Sequence, residues 1–249
     1  MISVIIIVLI IALAIAIISV VLWLVLHKTG SKPTTPTVYY PVPYKPVPGN
    51  VDVTVYYDPL CPYCQDFITN DLDDAVKEVG DIMNLTLIPD PRLDDSNRDK
   101  SGNVVNRKCP TDIGAGNCEA GLLADCAMSI YPKASDYVPF ISCMEKVITQ
   151  SDTVDDIDKK AEACAKSTSL NYNLIKTCAT SPQGMLLLND TYNKAAAEIS
   201  KVDTKSNPLA FGYPYILING DVLSANSRQN LVAMICMASN SKNRPKACS

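Results

Sequence analysis

Cys61-Pro62-Tyr63-Cys64 constrains this chain most, because of what stands on either side of it. Before it, Val51-Asp-Val-Thr-Val-Tyr-Tyr57 alternates and is β-branched or aromatic, the pattern of a buried strand. After the connector Asp58-Pro59-Leu60, the residues Phe67, Ile68, Leu72, Ala75, Val76 and Val79 recur at helical spacing, and Gly80 supplies a stop. The pair therefore straddles the start of a helix that follows a strand. Pro62 takes a first-turn position, where its missing N–H costs nothing. Unpaired N–H groups and the positive end of the helix dipole stabilise a thiolate there, so Cys61 is the expected attacking sulfur. Cys64, one turn along and more buried, can resolve a mixed disulfide by attacking Cys61. A structural disulfide is the competing use. Half of a zinc site is another, but no second Cys-x-x-Cys exists and the single histidine, His27, ends an apolar N-terminal run. Strand, turn, Cys-Pro-x-Cys and amphipathic helix together point to redox chemistry, with no metal and no cofactor expected.

A second element supports this reading. Residues 211–221, Phe-Gly-Tyr-Pro-Tyr-Ile-Leu-Ile-Asn-Gly-Asp, read as a strand and a tight Asn219-Gly220 turn, with a short return strand at 221–223. Ser224 is suited to N-cap a final amphipathic helix carrying Leu231, Met234, Ile235 and Met237. Between the halves, residues 82–88 alternate as a second strand. Residues 109–200 then read as mostly helix, over 118–130, 138–148, 154–165 and 184–199. The class is thus α/β with a large helical insertion at about residues 90–208. The cluster Met185-Leu-Leu-Leu188 is expected in its core.

The N-terminus has a different character. Residues 2–26 are apolar except for Ser3 and Ser19. At a rise of ~1.5 Å per residue they span ~37 Å, enough to cross a ~30 Å hydrocarbon layer with some tilt. The start carries no basic residue and the run is too long for a cleavable signal, so residues 2–27 read as a transmembrane anchor. Residues 28–50 hold six prolines and read as a Pro-rich stalk in extended geometry. The three lysines of the first 50 residues face no acids. That leaves 19 basic against 26 acidic residues, a net charge of −7, in the body from residue 51 to 249. Such a body argues against nucleic acid as a partner. One histidine, at the membrane, excludes a Ser-His-Asp triad and histidine acid–base chemistry in the body.

Beyond the cysteine pair and the preceding Val-Tyr-Tyr, several features recur in a familiar order. They are Asn84-Leu-Thr86, then Cys109, Cys118, Cys126, Ile141-Ser-Cys-Met144 and Cys164, then Cys178 shortly before Gly184-Met185. Tyr213-Pro214, Asn219-Gly220, Cys236 and Cys248 follow. In this order the chain resembles the gamma-interferon-inducible lysosomal thiol reductase family over roughly residues 51–249. The family's signature block opens Cys-Gln-His-Gly and carries an Asn after its second cysteine. Here the block Cys109–Cys118 is two residues longer, and Gly121 stands where that Asn would fall. The resemblance implies a thioredoxin-like fold and thiol–disulfide exchange on protein substrates. It makes Cys61 the nucleophile, Cys64 the resolving thiol and Pro214 the cis-proline that opens the late strand and faces the pair. Pro62, Tyr63 and Tyr213 are expected to contact substrate.

Removing the active pair leaves Cys109, Cys118, Cys126, Cys143, Cys164, Cys178, Cys236 and Cys248, compatible with four structural disulfides in any of 105 pairings. Cys236–Cys248 is the most local guess. Two glycosylation sequons begin at Asn84 and Asn189. Topology signals conflict. Lys28 and Lys32 follow the span, which would keep the body cytosolic, whereas ten cysteines and two sequons suit an oxidising lumen or exterior. Disulfide usage weighs more, and a virion membrane would reconcile both. The expected function is a membrane-tethered thiol–disulfide oxidoreductase that reduces protein disulfides. Oxidase and isomerase use the same pair at other potentials. A non-enzymatic, disulfide-stapled ectodomain for adhesion or assembly is the alternative class. Oligomeric state is not specified by the residues.

Overall fold

A computed structural model describes residues 49–90, 108–110, 114–202, 212–223, 230–242 and 244–249. The expected anchor (2–27), nearly all of the stalk, Phe211 and Ser224 lie outside the described residues. So do parts of the insertion. Among the described residues no helix is long and apolar enough to cross a membrane.

The chain enters on β1 (Val51–Tyr57), whose alternation buries Val51, Val53 and Val55 and exposes Asp52. It continues through α1 (Pro62–Phe67), a π-helical turn at Ile68–Leu72, and α2 (Asp73–Val79). Gly80 does not take the left-handed conformation of a glycine stop. It keeps right-handed angles (φ −55°) and opens a 3₁₀ turn, Gly80–Ile82, that leads directly into β2 (Met83–Pro89). β1 and β2 pair in parallel, with Val51 beside Met83 and Tyr57 beside Pro89. The helical connection allows this, since parallel neighbours need a crossover.

Among the described residues five helices follow: α3 (Ala115–Ile130), α4 (Ala134–Val147), α5 (Val154–Ser167), α6 (Tyr172–Ala179) and α7 (Pro182–Ile199). The sequence reading missed α6, a two-turn helix capped by Asn171, whose side chain accepts from Leu174 N. It also started α4 four residues late. Pro139 lies inside that helix; the backbone acceptor it frees belongs to Ser135, an exposed residue that water can satisfy. The expected Met185–Leu188 core needs correction too. Leu188 is buried, but Leu186 is 65% exposed, because one helix cannot point four consecutive residues inward.

The chain then returns to the sheet with β3 (Tyr215–Ile218) and β4 (Asp221–Val222), and ends on α8 (Leu231–Ala238). β3 runs antiparallel to β1, setting Tyr215 opposite Tyr56, and the sheet order is β2-β1-β3-β4. Asn219 and Gly220 both have positive φ (51° and 85°), which matches the handedness of a tight hairpin turn. A parallel βαβ unit followed by an antiparallel ββα unit thus frames the five helices.

Four disulfides staple this body: Cys109–Cys118, Cys126–Cys178, Cys143–Cys164 and Cys236–Cys248. The last is the pairing guessed from locality. The others join the loop before α3 to α3, α3 to α6, and α4 to α5.

Candidate active site

Cys61 is the N-cap of α1, and its carbonyl accepts from both Cys64 N and Gln65 N at 2.9 Å. Pro62 occupies the first helical position. A turn holds the approach, since Cys61 N donates to Asp58 O at 3.0 Å and Leu60 N to Asp58 Oδ1 at 3.0 Å. Cys61 and Cys64 are the two cysteines outside the disulfides; Cys61 is half-buried and Cys64 buried. Burial is the main cause that pushes the Cys64 thiol far up, and the neighbouring Cys61 adds to it; a backbone hydrogen bond at Asp58 acts against this, while the Asp58 charge adds a smaller upward push. Tyr63, between them, is 78% exposed.

The hairpin element reaches the same place. Because Tyr215 pairs with Tyr56, Pro214 enters the sheet at the level where β1 hands over to the cysteine loop. The Tyr213–Pro214 peptide is cis. The Tyr213 hydroxyl donates to the Asp90 carboxylate just beyond β2, and Asp90 N donates to Tyr57 O at 2.7 Å. Tyr213 lies within electrostatic reach of Cys64 and Asp58; burial first, then the bond to Asp90, pushes its hydroxyl up. Cys61, Pro62, Tyr63, Cys64, Tyr213 and Pro214 are thus brought together.

The inserted helices also touch this loop, which the sequence did not announce. Asn117 Nδ2 on α3 donates to Asp58 Oδ1 at 2.5 Å. Gln65 Nε2 donates to Ile148 O at 3.1 Å, and Gln150 Nε2 donates to Leu60 O at 3.2 Å. Behind the pair sits Glu145 of α4, 3% exposed, with Oε2 lacking a hydrogen-bond partner. Burial raises its carboxyl well above the ordinary range, and Asp58 raises it further. Tyr57, fully buried, leaves its hydroxyl without a partner and is subject to the charges of Glu145, Asp125 and Cys64. One signal could have found Glu145: it falls in phase with Val138 and Ile141 on the apolar stripe of α4.

The remaining candidates lie apart from this cluster. Asn84 stands on the exposed side of β2, donating to Asp52 Oδ1 at 3.0 Å. Asn189 is inside α7, its amide donating to Met185 O at 2.7 Å. Among the described residues no group of three His, Cys, Asp or Glu side chains could hold a metal ion.

Comparison with known proteins bears on this geometry. The structure resembles that of Chlamydia trachomatis DsbA, with a TM-score of 0.50 at 15% identity, covering 76% of this chain and 84% of that one. In sequence, a gamma-interferon-responsive lysosomal thiol protein of Arabidopsis thaliana is 29% identical over 209 residues, which cover 80% of this chain and 76% of the relative. The mouse gamma-interferon-inducible lysosomal thiol reductase is 24% identical over 211 residues, 84% of this chain and 75% of its own. The chain is a thiol–disulfide oxidoreductase of thioredoxin-like fold. More particularly, residues 52–168 match the family model described as gamma interferon inducible lysosomal thiol reductase.

Proposed function

We propose that this protein is a membrane-anchored oxidoreductase that reduces disulfides in other proteins through the Cys61–Cys64 dithiol. The observation that carries the reading is the division of its ten cysteines, with eight in four disulfides and only the pair at the start of α1 unpaired. In the reaction, the Cys61 thiolate attacks one sulfur of the substrate disulfide. That bond breaks, the other substrate sulfur leaves as a thiolate, and a mixed disulfide forms at Cys61. Cys64 then loses its proton and attacks Cys61 Sγ, so the mixed bond breaks and the Cys61–Cys64 disulfide forms. Two electrons have passed to the substrate, whose sulfurs take up two protons. Pro214, Tyr213, Pro62 and Tyr63 surround the approach and serve as the substrate contact. The apolar run at residues 2–27 holds the domain to a membrane, on its lumenal or external side. Four disulfides and the lysosomal relatives support that side, and sequons at Asn84 and Asn189 fit it.

The test is thiol trapping. With Cys64→Ser the mixed disulfide is expected to accumulate on Cys61, and a further Cys61→Ser should abolish it. If no adduct forms through Cys61, and the wild type neither reduces nor oxidises a test disulfide, the reading fails.

A further inference from the structure

A cleft of about 520 Å³ opens at Leu60, the residue that precedes the reactive Cys61. One wall is the loop and first turn of α3, at Gly114, Ala115 and Gly116; the other is the segment from Gln150 to Val154, and Leu60 reaches into it. That size falls in the ~300–1,000 Å³ range of ligand clefts.

Three features make it more than a surface dent. Both walls are tied to the cysteine loop, one through Asn117 to Asp58 and the other through Gln150 to Leu60 O. Small residues keep it open, and Gly116 is obligatory, since a Cβ there would lie 2.9 Å from Asp152 O and 2.9 Å from Ile157 Cδ1. Its one charged lining side chain, Asp152, is already satisfied by Lys160 Nζ at 2.5 Å and Thr149 N at 2.7 Å. An anionic occupant would meet no cation on the lining, and a cationic one would have to displace Lys160 from Asp152 to find a partner.

We infer that this cleft receives an extended, uncharged stretch of the substrate polypeptide flanking the cysteine that Cys61 attacks. The inference rests on the function proposed above. Leu60 is the residue before Cys61, so a chain whose sulfur sits on Cys61 continues naturally into the cleft. The α3 wall belongs to the Cys109–Cys118 block, where this sequence is two residues longer than the family's. Selectivity among substrates is therefore set by the inserted helices rather than by the cysteine pair alone.

Two measurements on the full-length protein test this. The first compares kcat/KM for insulin with kcat/KM for a small aromatic disulfide, in wild type and in Ser151→Trp, which fills the cleft. The insulin-to-small-disulfide ratio should fall about tenfold, through KM rather than kcat; an unchanged ratio overturns the proposal. The second is hydrogen exchange on Cys64→Ser trapped with an unfolded, uncharged cysteine peptide, against the same variant trapped with glutathione. Added protection at residues 114–117 and 150–154 is expected. Trapping without added protection refutes the cleft alone, whereas failure to trap anything refutes the Cys61 reading and the cleft with it.

Discussion

Asp125 makes the stability of this protein depend on pH in a direction that can be worked out in advance. It sits on α3, 3% exposed, one residue before the Cys126–Cys178 disulfide. Thr191 Oγ1 on α7 donates to its Oδ2 at 2.8 Å. Burial is the main cause that pushes this carboxyl up to about 7, against the lowering effects of Thr191 and Lys194. In the unfolded chain it titrates near 3.9. The folded protein therefore holds a proton that the unfolded chain releases across this window, so stability must fall as pH rises through it. Below about pH 4 both states are protonated and the contribution is fully present; above about 7 it is lost. A shift of about 3 units at ~1.36 kcal/mol each corresponds to about 4 kcal/mol. Asp125→Asn keeps the shape and the acceptor for Thr191 but cannot titrate. Urea denaturation of wild type and variant at pH 4.5, 5.5, 6.5 and 7.5 isolates the effect, because other titrating groups cancel in the difference. The variant's stability relative to wild type should grow by up to ~1.4 kcal/mol per pH unit and level off above pH 7. Parallel curves for the two proteins would refute the reasoning.

Three further outcomes are expected. A Cβ at Gly184 would lie 2.5 Å from Cys178 O and 3.0 Å from Ala179 Cα, backbone atoms of α6 that cannot give way. Gly184→Ala should cost about 1–3 kcal/mol in a thermal melt, while Gly212→Ala, with nothing within 4 Å of the added carbon, should be near neutral. Removing Cys126–Cys178 by double alanine substitution frees the 52-residue separation it closes, which loop entropy values at about 4 kcal/mol; chemical denaturation under non-reducing conditions measures it. Asp58→Asn removes an acidic charge acting on Cys64 while keeping an acceptor for Leu60 N. Equilibration with glutathione should show the pair becoming more oxidising, by on the order of 10–30 mV; no change, or a fall, would contradict the electrostatic account.

Much of the active-site side was legible because its determinants are local. The alternation of residues 51–57, the helical spacing after Cys64 and the Asn219-Gly220 turn each specify an element within one short window. The Cys236–Cys248 pairing was accessible for the same reason, being only 12 residues apart. What was missed depends on contacts distant in sequence. Asn117 meets Asp58 across 59 residues and Gln150 meets Leu60 across 90, and no spacing rule reports such meetings. α6 escaped because Ile175 and Ala179 are its only buried residues, too few for a periodic pattern. Gly80 reads as a helix stop on composition, yet the short step to β2 favoured a 3₁₀ turn instead.

The side chains around the pair bear on the direction of electron flow. A strongly oxidising pair needs its reduced form stabilised, chiefly by groups that favour a thiolate. Here β1 supplies apolar side chains at Val51, Val53 and Val55, and beyond the Tyr57 hydroxyl at its end the polar neighbours come from the loops and the inserted helices. Those that act on the cysteines are acidic. The Asp58 charge acts on Cys64, against the backbone hydrogen bond of the same residue, and Tyr213 with its bond to Asp90 lies within reach of Cys64. Burial and this acidic surround together hold Cys64 as a thiol. An environment that withholds stabilisation from the thiolate leaves the dithiol readier to give up its electrons. That supports the proposed reading, in which the pair reduces substrate disulfides rather than forming them.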